Sequence, residues 1–180
     1  MKRLLLSFAI LTICFVSFSQ GLSDDTLHWA SYRKLTWSDF RGTSIDIPNM
    51  SGQTIMVMLA KFQKQTLFLP TKTSVETVFD RKNSWVTEDG RTAQYLKYDQ
   101  VLFDLYEVNS RKLRKEFKET KFGLNPNKVF QEKYNSALTS LNDRTKQYMS
   151  ETRLGTNEDA IEKWNLLIQA ELIEFNDYKV

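Results

Sequence analysis

The chain has 180 residues, of which 41% are hydrophobic and 13% are aromatic, with a formal net charge of +3. This composition supports one domain with a filled core and excludes a disordered polyelectrolyte. Basic residues are mixed with acidic ones, and the densest basic cluster, Arg111 to Lys115, is followed at once by Glu116. That pattern is typical of a solvated helix face, so we expect no nucleic-acid partner.

The first 19 residues have the features of a signal peptide. Lys2 and Arg3 form a basic start, a mainly apolar stretch follows, and Ser19 is a small residue at the end of it. The apolar stretch is short for a membrane span, although an uncleaved anchor is the alternative. We therefore predict a single mature domain over residues 20–180 that is secreted or periplasmic and is not an integral membrane protein.

The N-terminal half of this domain is predicted to form strands and turns. Apolar residues nearly alternate over residues 54–69 and again over residues 75–79, which indicates half-buried strands. In the first stretch the alternating positions are Ile55, Val57, Leu59 and Phe62. Turn signals separate the strands at Arg41-Gly42, Pro48-Asn49 and Asp89-Gly90.

The C-terminal half is predicted to form three helices, over residues 92–118, 129–148 and 158–175. Apolar residues recur there at helical spacing, and glycine- and asparagine-containing breaks separate the three stretches. The predicted buried face of the third helix carries Ile161, Trp164, Leu167, Ile168 and Leu172. Strands followed by helices predict a single α+β domain.

The inventory of reactive side chains excludes several kinds of site. His28 is the only histidine, and the only cysteine, Cys14, lies within the signal peptide. A zinc site of the usual histidine or cysteine kind, a nucleophile–histidine pair and a disulfide therefore have no residues to form them. No glycine-rich phosphate loop is present either, and we expect no cofactor.

Carboxylates are the remaining candidates for chemistry. Asp104 and Glu107 are three residues apart and share a face of the first predicted helix, whereas Asp99 points elsewhere. One interpretation is a residual carboxylate site. The other, which we favour, is that these acids form structural pairs with basic residues at helical spacing, namely Lys97, Arg111 or Lys112.

Four segments resemble one family in the same order. They are Leu35-Thr36-Trp37-Ser38-Asp39-Phe40-Arg41-Gly42, then Phe79 with Ser84-Trp85-Val86, then Tyr95 to Glu107 with Ser110-Arg111-Lys112-Leu113-Arg114, and last Tyr148 to Gly155 with Trp164. Together they resemble the DUF922 family of bacterial secreted proteins, which are predicted to be zinc-dependent proteases. The resemblance spans most of the mature chain and implies a zincin-like fold, with a mainly antiparallel sheet, a long motif helix and two further helices.

This chain departs from the family at the metal-binding positions. The family motif has two histidines one helical turn apart, which bind zinc, and a glutamate that serves as general base. Tyr98 and Leu102 stand in place of those histidines, and Asp99 stands in place of the glutamate. Leu154 stands where the C-terminal segment of the family has a further histidine. The resemblance thus implies a degenerate site without metal or catalytic residues.

Three functions are compatible with this sequence. The leading hypothesis is a non-catalytic pseudo-peptidase that binds a protein or peptide partner or serves as a scaffold. The alternatives are a hydrolase that uses Asp99, Asp104 and Glu107, and a structural protein of the cell envelope. If the site is degenerate, Tyr98, Leu102 and Leu154 should converge, with both leucines buried as an apolar plug and with Asp104 and Glu107 held by structural partners.

Overall fold

The structure is a computed structural model that describes residues 25–45, 47, 50–63 and 71–180. Three sequence predictions fall outside the described residues: the signal peptide, the turn at Pro48-Asn49 and the end of the first predicted strand at residues 64–69. In the part of the chain that is described, no helix is both long enough and apolar enough to cross a membrane.

The strands form two small antiparallel sheets. Strands β1 (Thr26–His28), β3 (Met56–Gln63) and β4 (Lys72–Asp80) form one sheet in the order β1-β4-β3. Strands β2 (Gly52–Gln53) and β5 (Trp85–Val86) form the other. The predicted N-terminal strands are therefore confirmed over the described residues.

The apolar positions singled out in the first stretch do not share a face of β3, because Phe62 lies on the buried face and Val57 and Leu59 lie on the other. Met56 and Met58 are buried, whereas Val57 is 37% exposed and Leu59 is 39% exposed. Both faces of this strand carry large apolar side chains, and a period of two residues cannot by itself choose between two apolar faces. In β4 the prediction is correct, because the buried positions include the predicted face of Val75, Thr77 and Phe79.

Three helices follow the strands: α1 (Ala93–Glu119), α2 (Pro126–Glu151) and α3 (Glu158–Glu174). The Thr92 side chain caps α1 by accepting a hydrogen bond from the backbone of the first turn, and Asn157 caps α3 in the same way. The three predicted helices are confirmed with bounds that differ by a few residues.

The predicted buried face of α3 contains one error. Leu167 is 48% exposed, although the other four predicted positions of this helix are buried. Leu167 precedes Ile168, and consecutive helical residues differ by about 100° in direction, so both cannot point straight at the core.

Helix α1 is the centre of the domain. It packs against β3 and β4 on one side and against α2 and α3 on the other, and residues 98–111 are almost all buried. An antiparallel sheet in the N-terminal half followed by three helices is an α+β architecture, as the sequence predicted. The central position of α1 brings its first half, with the family-like motif, next to both the N-terminal segments and the end of α2.

Candidate functional site

A cleft of about 460 Å³ lies beside the first half of α1, and we call it the α1 cleft. All four degenerate-site positions line it: Tyr98, Asp99, Leu102 and Leu154. The structure thus brings together residues that are up to 56 positions apart in the chain, as the sequence predicted. Further lining residues come from the N-terminal segments, the β2–β5 sheet and the α2 end, and they include Trp37, Phe40, Gly52, Gln53, Trp85, Tyr95 and Met149.

Tyr98 and Leu102 lie one turn apart on the same side of α1, and both are buried. The Tyr98 ring stacks on Tyr148, with ring centroids 5.0 Å apart, and the Tyr148 hydroxyl donates to the backbone carbonyl of Tyr98 over 2.9 Å. Burial, and then the nearby Asp99 charge, raise the pKa of Tyr98 above its ordinary value of 10.0. The phenol therefore stays neutral at physiological pH, and a neutral phenol binds zinc poorly.

Leu154 reaches the cleft but does not form a buried plug. It is 64% exposed, whereas Leu102 is 4% exposed, so the expected burial is correct for Leu102 and wrong for Leu154. The reason is its location in the turn that follows α2, which places the side chain at the edge of the cleft rather than behind it.

That turn has an unusual backbone. Arg153, Leu154 and Gly155 all have positive φ angles, of 49°, 54° and 92°. The left-handed conformation costs a residue with a Cβ atom roughly 1–2 kcal/mol, so two successive residues of this kind indicate strain that the surroundings must offset. The Leu154 amide donates to the Met149 carbonyl over 2.8 Å, and the Gln94 side chain donates to the Gly155 carbonyl over 2.7 Å. The first bond fixes the turn to the end of α2, and the second holds it against α1.

Asp99 is a carboxyl group with an altered pKa at the cleft wall. It is only 8% exposed, and its Oδ1 accepts a hydrogen bond of 2.8 Å from the Thr54 hydroxyl. Burial raises its pKa to about 7, and the Thr54 hydrogen bond opposes part of that shift. Among the described residues that line the cleft there is no lysine, arginine or histidine. The carboxyl group therefore has no cationic partner in the wall of the cleft.

Asp104 is held by four donors from three parts of the chain. Its Oδ1 accepts from Trp29 over 2.7 Å and from Gln100 over 2.8 Å, and its Oδ2 accepts from Gln169 over 2.8 Å and from Lys34 over 3.3 Å. These contacts join the segment that follows β1 to α1 and α3. Asp104 therefore has structural partners, but none of them is a basic residue at helical spacing of the kind that the sequence suggested.

Glu107 is also held by structural partners. It accepts hydrogen bonds of 2.9 Å from Arg111 and Arg114 and one of 2.8 Å from the Thr77 hydroxyl on β4. The predicted pairing with Arg111 is thus correct. The pairings offered for Lys97 and Lys112 are wrong, because these lysines bond to acidic residues on α3, Glu162 and Glu171.

The three carboxylates do not form one site. Asp99 faces the cleft, while Asp104 and Glu107 face separate sets of structural partners. Within the described ranges, no three His, Cys, Asp or Glu side chains come together in a group that could hold a metal ion. His28 lies on β1, where its Nδ1 is 3.3 Å from Glu76, and it does not line the cleft.

The segment Leu35–Gly42 forms the aromatic side of the cleft. The Gln100 side chain accepts a 2.7 Å hydrogen bond from the Leu35 amide, which fixes the segment to α1. Burial alone would raise the pKa of Asp39, but hydrogen bonds from Arg33 and from the backbone and side chain of Thr36 lower it below the ordinary value. The carboxylate thereby stays ionised and stabilises the turn that presents Trp37 and Phe40.

Thr54 is the site residue that sequence reasoning missed. It lies 45 positions before Asp99, and a threonine next to an alternating stretch indicates only a strand. No local signal distinguishes a threonine that bonds to a distant carboxyl group from one that faces solvent. Tyr95 and Met149 were likewise not predicted as lining residues.

No family model matches the chain, and neither does any curated protein or solved structure. The structure itself shows an α+β domain whose cleft is lined, among the described residues, by several aromatic side chains and one carboxyl group. The family resemblance remains a prediction from the residues alone.

Proposed function

We propose that this protein is an exported, non-catalytic relative of zincin-like peptidases that binds a peptide segment of a partner protein in the α1 cleft. The observation that carries the proposal is the convergence of Tyr98, Leu102 and Leu154 on one open cleft where the described residues form no group of side chains that could hold a metal ion. These are the positions that the DUF922 resemblance assigns to zinc ligands.

The backbone around Leu154 adds support. A leucine gains nothing from a left-handed conformation, and this one is also largely exposed. Strained residues of this kind concentrate at functional sites. A turn inherited from a metal-binding ancestor accounts for both features, because such a turn must aim its side chain at the α1 residues.

The lining of the cleft favours an extended peptide with apolar side chains. Trp37, Trp85 and Tyr95 offer aromatic surface, which gives large contact area at low cost in side-chain entropy. In the described residues, β2 pairs only with β5, so one edge of β2 is open for backbone hydrogen bonds from an added strand.

Peptide binding can be tested with the tryptophans of the cleft as fluorescence reporters. We expect short apolar peptides to bind, and Leu154→Asn to weaken binding about fivefold, since roughly 1 kcal/mol of apolar contact is lost. Asparagine tolerates the left-handed backbone, so the fold should persist. The matched control is Leu166→Asn on α3, because Leu166 is 63% exposed and lies outside the cleft. Equal binding by both variants and the native protein would contradict the proposal.

The origin of the cleft can be tested by restoring histidines. The triple variant Tyr98→His, Leu102→His, Leu154→His should bind one equivalent of zinc, because three imidazoles would then converge on the cleft. The matched control keeps Tyr98→His and Leu102→His and places the third histidine at Leu166, outside the cleft. If both triple variants retain native circular dichroism and bind zinc equally, the third position does not converge and the ancestry is wrong.

A carboxylate hydrolase is the second candidate, and one observation favours it. A carboxyl group with a pKa of about 7 is suited to general acid or base catalysis at neutral pH. No second aspartate or glutamate is among the described residues that line the cleft, which is why we place this function second. Peptide cleavage that disappears in Asp99→Asn would favour the hydrolase over the binding protein.

A further inference from the structure

The α1 cleft contains a buried acid, and no described residue that lines the cleft carries a positive charge to neutralise it. Asp99 is more than nine-tenths buried, and Thr54 is its only hydrogen-bonding side-chain partner among the described residues. Buried carboxylates are ordinarily paired with a cation, because an unpaired ion in a poorly solvated place is costly. Here the part of the cleft wall that the structure describes contains no such cation.

The arrangement of the two Asp99 oxygens restricts what can pair with it. Oδ1 already accepts the Thr54 hydrogen bond, so Oδ2 offers a ligand more acceptor capacity than Oδ1 does. A guanidinium group binds carboxylates best through two parallel hydrogen bonds, one to each oxygen. An ammonium group is a compact point charge that needs only one acceptor.

The aromatic walls suit the same kind of ligand. Trp37, Trp85, Tyr95 and Tyr98 line the cleft that contains Asp99. Aromatic faces attract cations, and they also pack against the aliphatic stem of a long side chain. The cleft thus combines a single anion with apolar walls, which is the complement of an ammonium group on a hydrocarbon chain.

We infer that the α1 cleft recognises a lysine side chain of its bound peptide, with the ammonium group at Asp99 and the stem against the aromatic walls. This inference rests on the proposed function and names the residue type that the cleft selects. It extends the role of Asp99 from a degenerate catalytic position to a specificity-determining one.

Lysine recognition should depend on pH through Asp99. The other titratable groups that line the cleft are the phenols of Tyr95 and Tyr98, and Tyr148 lies behind Tyr98. Burial raises the pKa of both Tyr98 and Tyr148, so neither ionises near neutral pH. The carboxyl group, whose pKa is about 7, is mostly neutral at pH 6 and mostly ionised at pH 8. The affinity for lysine should therefore fall about tenfold from pH 8 to pH 6.

Four peptides of one design test the inference: acetyl-Gly-Ala-X-Ala-Gly-amide, with lysine, norleucine, arginine or glutamate at X. At pH 8 we expect the lysine peptide to bind at least tenfold tighter than the norleucine peptide, and tighter than the arginine peptide. In Asp99→Asn the preference for lysine over norleucine should vanish. Titration calorimetry at pH 6 and pH 8 measures both effects.

The outcomes separate the two proposals. If no peptide binds, the proposed function fails and the inference fails with it. If the norleucine peptide binds and the lysine peptide binds no tighter, only the lysine inference is overturned. The same holds if the preference for the lysine peptide over the norleucine peptide survives in Asp99→Asn.

Thr54→Val provides a second variant that keeps the carboxyl group. Loss of the Thr54 hydrogen bond should raise the pKa of Asp99 further, because that bond lowers it in the native protein. The midpoint of the pH dependence of lysine binding should then move to higher pH. An unchanged midpoint would exclude Asp99 as the titrating group.

Discussion

The buried Asp99 carboxyl group makes a quantitative prediction about stability. In the folded protein its pKa is about 7, whereas the ordinary value for aspartate is 3.8. Between these two values the folded state holds a proton that the unfolded state has released. The free energy of unfolding should therefore fall as the pH rises from about 4 to about 7 and should level off above that.

The size of this loss follows from the pKa difference. A difference of about 3 units, at about 1.4 kcal/mol for each unit, corresponds to roughly 4 kcal/mol at pH 8. That is a large share of the 5–15 kcal/mol that typically stabilises a domain. Asp99→Asn removes the ionisation and keeps an oxygen that can accept the Thr54 hydrogen bond. We expect this variant to be more stable than the native protein at pH 8, by up to about 4 kcal/mol, and to differ little from it at pH 4.

Urea unfolding of the ligand-free protein at pH 4, 6 and 8, followed by circular dichroism, measures this difference. Asp39→Asn is the contrasting control, because the Arg33 and Thr36 hydrogen bonds lower the pKa of Asp39 despite its burial. That substitution should destabilise the protein near neutral pH, with less effect in acid. The reasoning is refuted if Asp99→Asn has the same effect on stability at pH 4 and pH 8.

Two further predictions concern the turn and the helix that form the cleft. Gly155→Ala should destabilise the domain by about 2 kcal/mol, because an added Cβ would lie 2.9 Å from the Tyr95 ring at a φ of +92°. Gly123→Ala is the matched control, because its φ is +57° and no atom lies within 4 Å of the added Cβ. This substitution should cost only about 1 kcal/mol. Thermal unfolding of both variants measures the difference. Equal melting temperatures for the two variants would show that the Tyr95 contact is not rigid. Glu107→Ala should cost about 3–5 kcal/mol because it leaves two partly or fully buried arginines unpaired. Glu88→Ala is the control, because Glu88 is exposed, and this substitution should leave the urea midpoint almost unchanged. A similarly small effect of Glu107→Ala would mean that the ion pairs of Glu107 add nothing to stability.

The sequence determined the local structure of this protein, because local structure depends on patterns that neighbouring residues form. The three helices follow from apolar spacing and from the breaks around Gly123 and Gly155, and α1 begins next to its Thr92 cap as helix rules require. The convergence of Leu154 with Tyr98 and Leu102 was also predicted, but only through the resemblance. Apolar spacing alone contains no information about which distant segments meet.

Tertiary structure decided which face of β3 is buried and which partners Asp99 and Asp104 have. Met56 and Met58 face the core while Val57 and Leu59 do not, and no single-strand pattern distinguishes two apolar faces. Asp99 and Asp104 lie five residues apart on one helix, yet one faces a cleft and the other accepts four hydrogen bonds. The difference comes from elements that pack against α1 from far along the chain. A carboxyl group's pKa and partners depend on burial and on distant donors, and both are fixed only when those elements assemble.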